Sequence, residues 1–214
     1  MMSSVAVIDY GMGNLHSIAK ALQHVASDVD VLVTADPQLI AQADRVVFPG
    51  VGAIRDCMQA LQDSGLAAII KNAAAEKPLL GICLGMQALL TDSEEGGHTE
   101  CLNVVSGHVK RFADDLTDAQ GGRLKIPHMG WNQVTQQPHP LWQNIAQNSR
   151  FYFVHSYYAN LDNAIDSIAT SNYPQPFTCA IAKDKLFAVQ FHPEKSQTAG
   201  LQLLKNFLHW DGRL

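Results

Sequence analysis

The sequence predicts an α/β fold, an open and mostly parallel sheet flanked by helices, with antiparallel additions in the second half. Three observations carry that expectation. Over roughly the first 90 residues, short β-branched runs alternate with helix-period segments, the order that sets parallel strands between covering helices. From about residue 104 the texture changes to shorter extended runs separated by turns, as in hairpins. With 47% hydrophobic residues in 214, the chain can bury a core without disulfides or metals, so one compact domain over 1–214 is expected.

The elements follow in order. Val5 to Tyr10 reads as the first strand, and Gly11-Met12-Gly13-Asn14 turns into a helix carrying Leu15, Ile18, Ala19, Leu22 and Val25 on one face. Val29 to Val33 is the second strand. Asp36-Pro37 then opens a short helix with proline in its first turn. Arg45 to Phe48 makes a third strand, ending at Pro49-Gly50-Val51-Gly52, and Leu79 to Ile82 a fourth, ending at Cys83. Beyond it, Val104 to Phe112, Gln133 to Thr135, Phe151 to Tyr158, Ile165 to Thr170, Thr178 to Lys183 and Phe187 to Phe191 read as extended runs. Asp184-Lys185 is a two-residue turn between the last two, and a closing helix runs from about Thr198 to Trp210. The polar stretch Asp114 to Lys125, with Gly121-Gly122, reads as a mobile surface loop.

Composition narrows the function classes. A formal net charge of −5 without any Lys/Arg run argues against a broad nucleic-acid footprint or a polybasic membrane contact. No apolar run reaches the ~18 residues of a membrane span, and the N-terminal residues read as a buried strand rather than a signal, so a cytosolic protein is expected. Charged residues are only 16%, which leaves room for surface covered by a partner. Cys57, Cys83, Cys101 and Cys179 are widely spaced and show no metal-ligand pattern, so reduced thiols, no metal and no cofactor are expected.

One thiol stands apart. Gly81-Ile82-Cys83-Leu84-Gly85 lies where an apolar strand gives way to an apolar helix containing Met86, Leu89 and Leu90, the pattern of a nucleophile elbow with Cys in place of Ser. Glycines at 81 and 85 give the room for that turn, and a helix N-terminus favours thiolate over thiol. A buried structural thiol is the ordinary alternative. The oxyanion formed when a thiolate attacks an amide needs backbone donors. The N–H of Leu84 is one candidate, and the Val51-Gly52 backbone of Pro49-Gly50-Val51-Gly52-Ala53 is the other. His192-Pro193-Glu194 follows the last strand. In an extended segment residues two apart share a side, so Glu194 can orient His192, giving a Cys83, His192, Glu194 triad. A surface turn is the alternative for the His-Pro-Glu run taken alone. His16, His24, His98, His108, His139 and His209 have no accompanying pattern.

Gly-Ile-Cys-Leu-Gly-Met-Gln (81 to 87) together with His-Pro-Glu-Lys-Ser (192 to 196) resembles the class I, triad-type glutamine amidotransferases, whose fold is flavodoxin-like. Asp9-Tyr10-Gly11-Met12-Gly13-Asn14-Leu15, Pro49 to Ala53, Pro127-His128-Met129-Gly130-Trp131-Asn132 and Phe151-Tyr152-Phe153-Val154-His155-Ser156-Tyr157 narrow the resemblance to the glutaminase subunits of imidazole glycerol phosphate synthases. The match spans essentially the whole chain. The resemblance implies glutamine hydrolysis and delivery of ammonia to a separate cyclase subunit in histidine biosynthesis. It also implies that Gly52, Gln87, Glu95, Ser156 and Tyr157 hold the glutamine, with Glu95 pairing its ammonium. Asn14, Trp131, Tyr152 and Lys195 would lie near the cyclase interface. Two departures concern loops: Cys101-Leu102-Asn103 replaces a Gly-Leu-Gly or Gly-Leu-Ser element, and the Asp114 to Lys125 stretch is longer than in the shortest members. A glutaminase of another pathway, a non-catalytic amidotransferase-like subunit and a free-standing cysteine amidase are the competing readings.

Overall fold

The computed structural model of the chain describes residues 3–118 and 120–213. Its first half supplies strands β1 (Ser3–Ile8), β2 (Val29–Thr34), β3 (Arg45–Gly50) and β4 (Leu79–Cys83) with helices α1 (Leu15–Val25), α2 (Pro37–Gln42), α3 (Ile54–Asp63), α4 (Leu66–Glu76) and α5 (Leu84–Ala88). Its second half adds β5 (Asp92–Ser93), β6 (Thr99–Glu100), β7 (Gly107–Arg111), β8 (His128–Gln133), β9 (Thr135–Gln136), β10 (Arg150–His155), β11 (Tyr157–Leu161), β12 (Ser167–Asn172), β13 (Pro176–Lys183), β14 (Leu186–Val189) and α6 (Gln197–His209).

The main sheet has 12 strands in the order β2-β1-β3-β4-β14-β13-β11-β7-β5-β6, with β12 and β9 branching from β13. From β2 to β14 all neighbours are parallel, and the pairs from β14 through β7 are antiparallel. β8 and β10 form a separate antiparallel ribbon. The expected parallel sheet with antiparallel additions is therefore what the chain builds.

The parallel strands are apolar on both faces because helices cover both. Val5, Val7, Val47, Leu80, Ile82, Phe187 and Val189 join Ile18 and Leu22 of α1 and Leu203, Leu204 and Phe207 of α6 in one core. The alternate residues Ala6, Ile8, Val46, Phe48, Leu79 and Ala188 pack with Ile40, Ile54, Leu61, Ile70 and Met86 from α2 to α5 in the other. Each fully buried aliphatic or aromatic side chain contributes about 1.5–3 kcal/mol, so these two layers supply the main driving force for the fold.

Several boundaries differ from the sequence expectation for local reasons. β1 ends at Ile8, since Asp9 turns the chain by accepting the Gly11 N–H at 3.0 Å. Asp36 caps α2 as expected, accepting the Gln38 N–H at 2.8 Å. The run from Val104 starts its strand only at Gly107, because Val104 and Val105 N–H groups bond Leu89 instead. Phe151 to Tyr158 is two strands in two sheets, joined at Ser156. Lys183 and Leu186 pair across Asp184-Lys185, so that turn stands. Asp114 to Lys125 is an exposed excursion closed by a Thr117 to Arg123 bridge and a Leu124 N–H to Leu116 carbonyl bond of 2.8 Å, with Ala119 outside the described residues. No helix among the described residues is long and apolar enough to cross a membrane.

Candidate active site

In parallel sheets, loops at the C-terminal strand ends converge on ligands. Here β3, β4 and β14 deliver Gly50, Cys83 and, three residues past Val189, His192 to one place; Gly50 and Cys83 are register partners. Cys83 carries φ 54° and ψ −109°, a conformation that L residues avoid at a cost of about 1–3 kcal/mol. The flanking glycines permit it. A Cβ on Gly85 would lie 2.0 Å from the Phe48 carbonyl oxygen, and one on Gly81 would press Leu89 and Ala188 at 2.9 and 3.0 Å. The elbow is thus clamped between β3 and its own helix. That helix is shorter than expected: α5 ends at Ala88, and Leu89 and Leu90 lie beyond it. Leu102 N–H bonds Ala88 and Asn103 N–H bonds Leu90, so the Cys101-Leu102-Asn103 stretch closes over the helix end. With one turn only, α5 offers free N–H groups, Leu84's among them, more than a long dipole.

His192 and Glu194 meet, but by a different local geometry from the extended one expected. His192 is extended and Pro193–Lys195 forms a 3₁₀ turn that brings Glu194 Oε1 to 2.9 Å from His192 Nδ1. Gly200 lets α6 press on this turn, since a Cβ there would be 2.0 Å from the Pro193 carbonyl oxygen. Burial pulls the His192 pKa down, but hydrogen bonding to Cys83 and Glu194 outweighs it and raises the imidazole to about 10. Burial raises the spare thiols Cys57 and Cys101 to about 11 and about 12, and Cys179 higher still, which keeps them protonated and unreactive at neutral pH.

A cavity of about 310 Å³ opens above Cys83. Val51, Gly52 and Leu84 line it, as do Gln87, Glu95, Ser156, Tyr157, His192 and Lys195. Every residue expected to hold substrate or oxyanion therefore faces one space. Gly52 has φ 102°, and Met12 abuts it, 2.9 Å from where a Cβ would sit, so the loop bearing Asn14 leans on the Val51-Gly52 loop. Glu95 accepts the Ile54 N–H at 3.1 Å at the start of α3. Trp131 and Tyr152 face each other across the β8–β10 ribbon, edge to face at 6.0 Å, and Trp131 and Met129 are 43% and 62% exposed. The second carboxylate oxygen of Glu194, Oε2, is buried with no hydrogen-bond partner among the described residues.

The chain matches the glutamine amidotransferase class-I family over residues 6–210. It belongs to the class I glutamine amidotransferases. Among curated relatives of this family, the imidazole glycerol phosphate synthase subunit HisH of Methylococcus capsulatus is 63% identical over 98% of both chains. The subunit of the same name from Acinetobacter baylyi is 57% identical over 98% of this chain and all of that one, and HisH 1 of Pseudomonas aeruginosa 55% over the whole of both. Solved structures share the amidotransferase fold at low identity. One described as a glutamine amidotransferase aligns with a TM-score of 0.70 at 16% identity over 96% of this chain and 97% of that one. A glutamine amidotransferase from Thermotoga maritima gives 0.57 at 19% over 91% and 77%.

Two groups of this amidotransferase site escaped the sequence reading. Gln190, fully buried, sits between Gln87 and Cys83. Ser196 takes the Tyr152 N–H at 3.0 Å and donates to the His192 carbonyl at 2.6 Å, fixing the turn that carries His192 and Glu194. Gln190 lies two residues before the His192 to Ser196 run, and Ser196 ends that run, where the sequence reading assigns it no role of its own. Nothing in residue type or spacing distinguishes Gln190 from any strand-end polar residue.

Proposed function

We propose that this chain hydrolyses glutamine to glutamate and ammonia through a thioester on Cys83, and passes the ammonia to a cyclase subunit that makes imidazole glycerol phosphate in histidine biosynthesis. The observation that carries the reading is the single cavity into which Cys83, His192, Gly52, Gln87, Glu95 and Tyr157 all project. It suits one free amino acid rather than a peptide strand. Identity above one half to HisH subunits over full length favours this pathway over another amidotransferase's.

The chemistry follows from the groups present. The Cys83 thiolate attacks the carboxamide carbon, and the oxyanion takes backbone N–H bonds from Leu84 and from the Val51-Gly52 segment. His192, protonated at neutral pH, gives its proton to the departing nitrogen, so ammonia leaves and a thioester remains. The imidazole, now neutral and steadied by Glu194, takes a proton from water; the resulting hydroxide attacks the thioester and glutamate departs as the thiolate re-forms. Glu95 pairs the substrate ammonium, while the backbone at Ser156 and Tyr157 receives its other end. Asn14, Trp131, Tyr152 and Lys195 face the cyclase, and the protein works in the cytoplasm.

The test is glutamate release from glutamine by the purified chain, alone and then with the cyclase subunit and its nucleotide ligand. Strong stimulation is expected. Equal and substantial hydrolysis in both would overturn the pathway assignment and favour a free-standing amidase.

A further inference from the structure

We propose that Gln190 is a positioning residue for the nucleophile: its carboxamide N–H donates to the Cys83 sulfur and stabilises the thiolate independently of His192. The inference rests on Cys83 being the nucleophile, as argued above. The polarity of the hydrogen bonds is forced from one end. The Tyr157 carbonyl oxygen can only accept, and Gln87 contacts it at 3.1 Å, so the Gln87 atom there is its amide nitrogen. The same nitrogen lies 2.9 Å from the Gln190 carboxamide, which must therefore present its oxygen. That leaves the Gln190 nitrogen facing Cys83 Sγ at 3.7 Å, within reach of a large, diffuse thiolate acceptor.

Gln190 is held there by more than its side chain. Its backbone N–H bonds the Cys179 carbonyl at 2.9 Å, and the residue is wholly buried, so the amide has no water to turn towards. The Tyr157 carbonyl is itself fixed by a second donor, Nδ1 of His155 at 2.8 Å. A backbone group of the pocket wall thus sets the donor direction at the sulfur two side chains away. Gln87 Oε1 is left to accept from a donor on the bound substrate.

The experiment follows alkylation of Cys83 by iodoacetamide in the full chain against pH, read by mass spectrometry of the Cys83 peptide. Gln190→Glu keeps the shape and the acceptor for Gln87 but turns a carboxylate oxygen to the sulfur. It is expected to raise the inflection by at least about one pH unit and slow alkylation at neutral pH about tenfold, the scale of one charge-assisted hydrogen bond. The added carboxylate also repels the thiolate, so Gln190→Met, which removes the donor without adding charge, separates the two effects: it should raise the inflection in the same direction, and an unshifted inflection in either variant overturns the proposal. A second measurement needs no variant: the side-chain amide protons of Gln190 in the unaltered chain should shift in NMR spectra through the Cys83 inflection. Protons that stay flat overturn it as well. If Cys83 of the unaltered chain reacts no faster than Cys57 or Cys101, the nucleophile assignment itself fails, a result distinct from either of these.

Discussion

His192 Nδ1 lies 2.9 Å from Glu194 Oε1, with the two side chains 5% and 0% exposed. A pair this sealed sets the proton of the reaction. Because His192 titrates near 10 instead of 6.5, its contribution to stability is complete below pH 6.5 and is lost as pH rises through about 10. Replacing Glu194 by Gln removes one of the groups that raise it. The alkaline limb of both thermal stability and glutaminase activity should then move to lower pH, with kcat down on the order of 10²-fold. An alkaline limb unmoved in melts and rates would show that Glu194 does not hold the imidazole's proton.

Cys83→Ala removes the one thiol that lines the cavity among the described residues. In complex with the cyclase subunit, glutamine-dependent synthesis should disappear while synthesis from ammonium salts persists, since the ammonia-using chemistry belongs to the partner. Because alanine at φ 54° is still strained, no large gain in thermal stability should accompany the loss. Loss of both activities would sink the division of labour.

The elbow itself can be probed without touching a reacting group. Gly85→Ala places a methyl 2.0 Å from the Phe48 carbonyl oxygen, a clash with backbone that only movement of β3 or α5 can relieve. A destabilisation of about 1–3 kcal/mol or more is expected, or roughly 2–12 °C in the melting midpoint for a chain of this size. Glutaminase rate should fall further than stability, because the same shift moves Cys83. A variant that melts and turns over like the parent would mean the elbow is not tightly clamped.

The sheet was legible because its strands are buried on two faces: Val5 to Ile8, Val46 to Phe48 and Leu79 to Ile82 are continuous apolar runs that helix periods cannot explain. The proposed triad could be picked out in the sequence because glycines around Cys83 and the proline beside His192 mark local backbone demands that only a few residue types meet. What stayed hidden depends on contacts across the chain. The Phe151 to Tyr158 run gives no sign of splitting at Ser156, because the split follows from β10 pairing β8 while β11 pairs β7. α5 stops early because Leu102 and Asn103 return to bond Ala88 and Leu90. Gln190 acquires its place only when Gln87 and Cys83 flank it, a relation separated by more than 100 residues.

Trp131 is 43% exposed beside Met129 at 62%, an apolar pair on a ribbon otherwise edged with polar groups. As the aromatic anchor of the proposed interface, Trp131→Ala should weaken cyclase binding by about 2 kcal/mol, roughly 30-fold in Kd. The melting midpoint of the isolated chain should hardly change. Calorimetric titration of the two subunits measures this directly, and an unchanged Kd would move the interface elsewhere on the surface.

The acid limb of stability should be set by three buried imidazoles outside the Cys83, His192, Glu194 set. His128 Nδ1 and His155 Nε2 are 2.9 Å apart, and His155 Nδ1 meets the Tyr157 carbonyl, so His155 must donate there and accept from His128. Both are neutral in this arrangement: a proton added to His155 Nε2 sets two donors face to face, and one added to His128 Nε2 meets the Asn132 amide N–H, 3.2 Å away, that this nitrogen otherwise accepts. Burial depresses His128 and His139 to about 4 and His155 to about 3, against 6.5 when unfolded. Groups depressed in this way contribute stability that is whole above pH 6.5 and is lost as pH falls towards 4, each at up to about 1.4 kcal/mol per pH unit. Thermal melts from pH 7 down to 4 should therefore fall steeply. His128→Asn, which retains a donor at the Nδ1 position but cannot take up a proton, should shallow that slope while leaving the glutamine KM nearer the parent value than His128→Phe does. Equal slopes in parent and His128→Asn would place the acid sensitivity in the carboxylates instead.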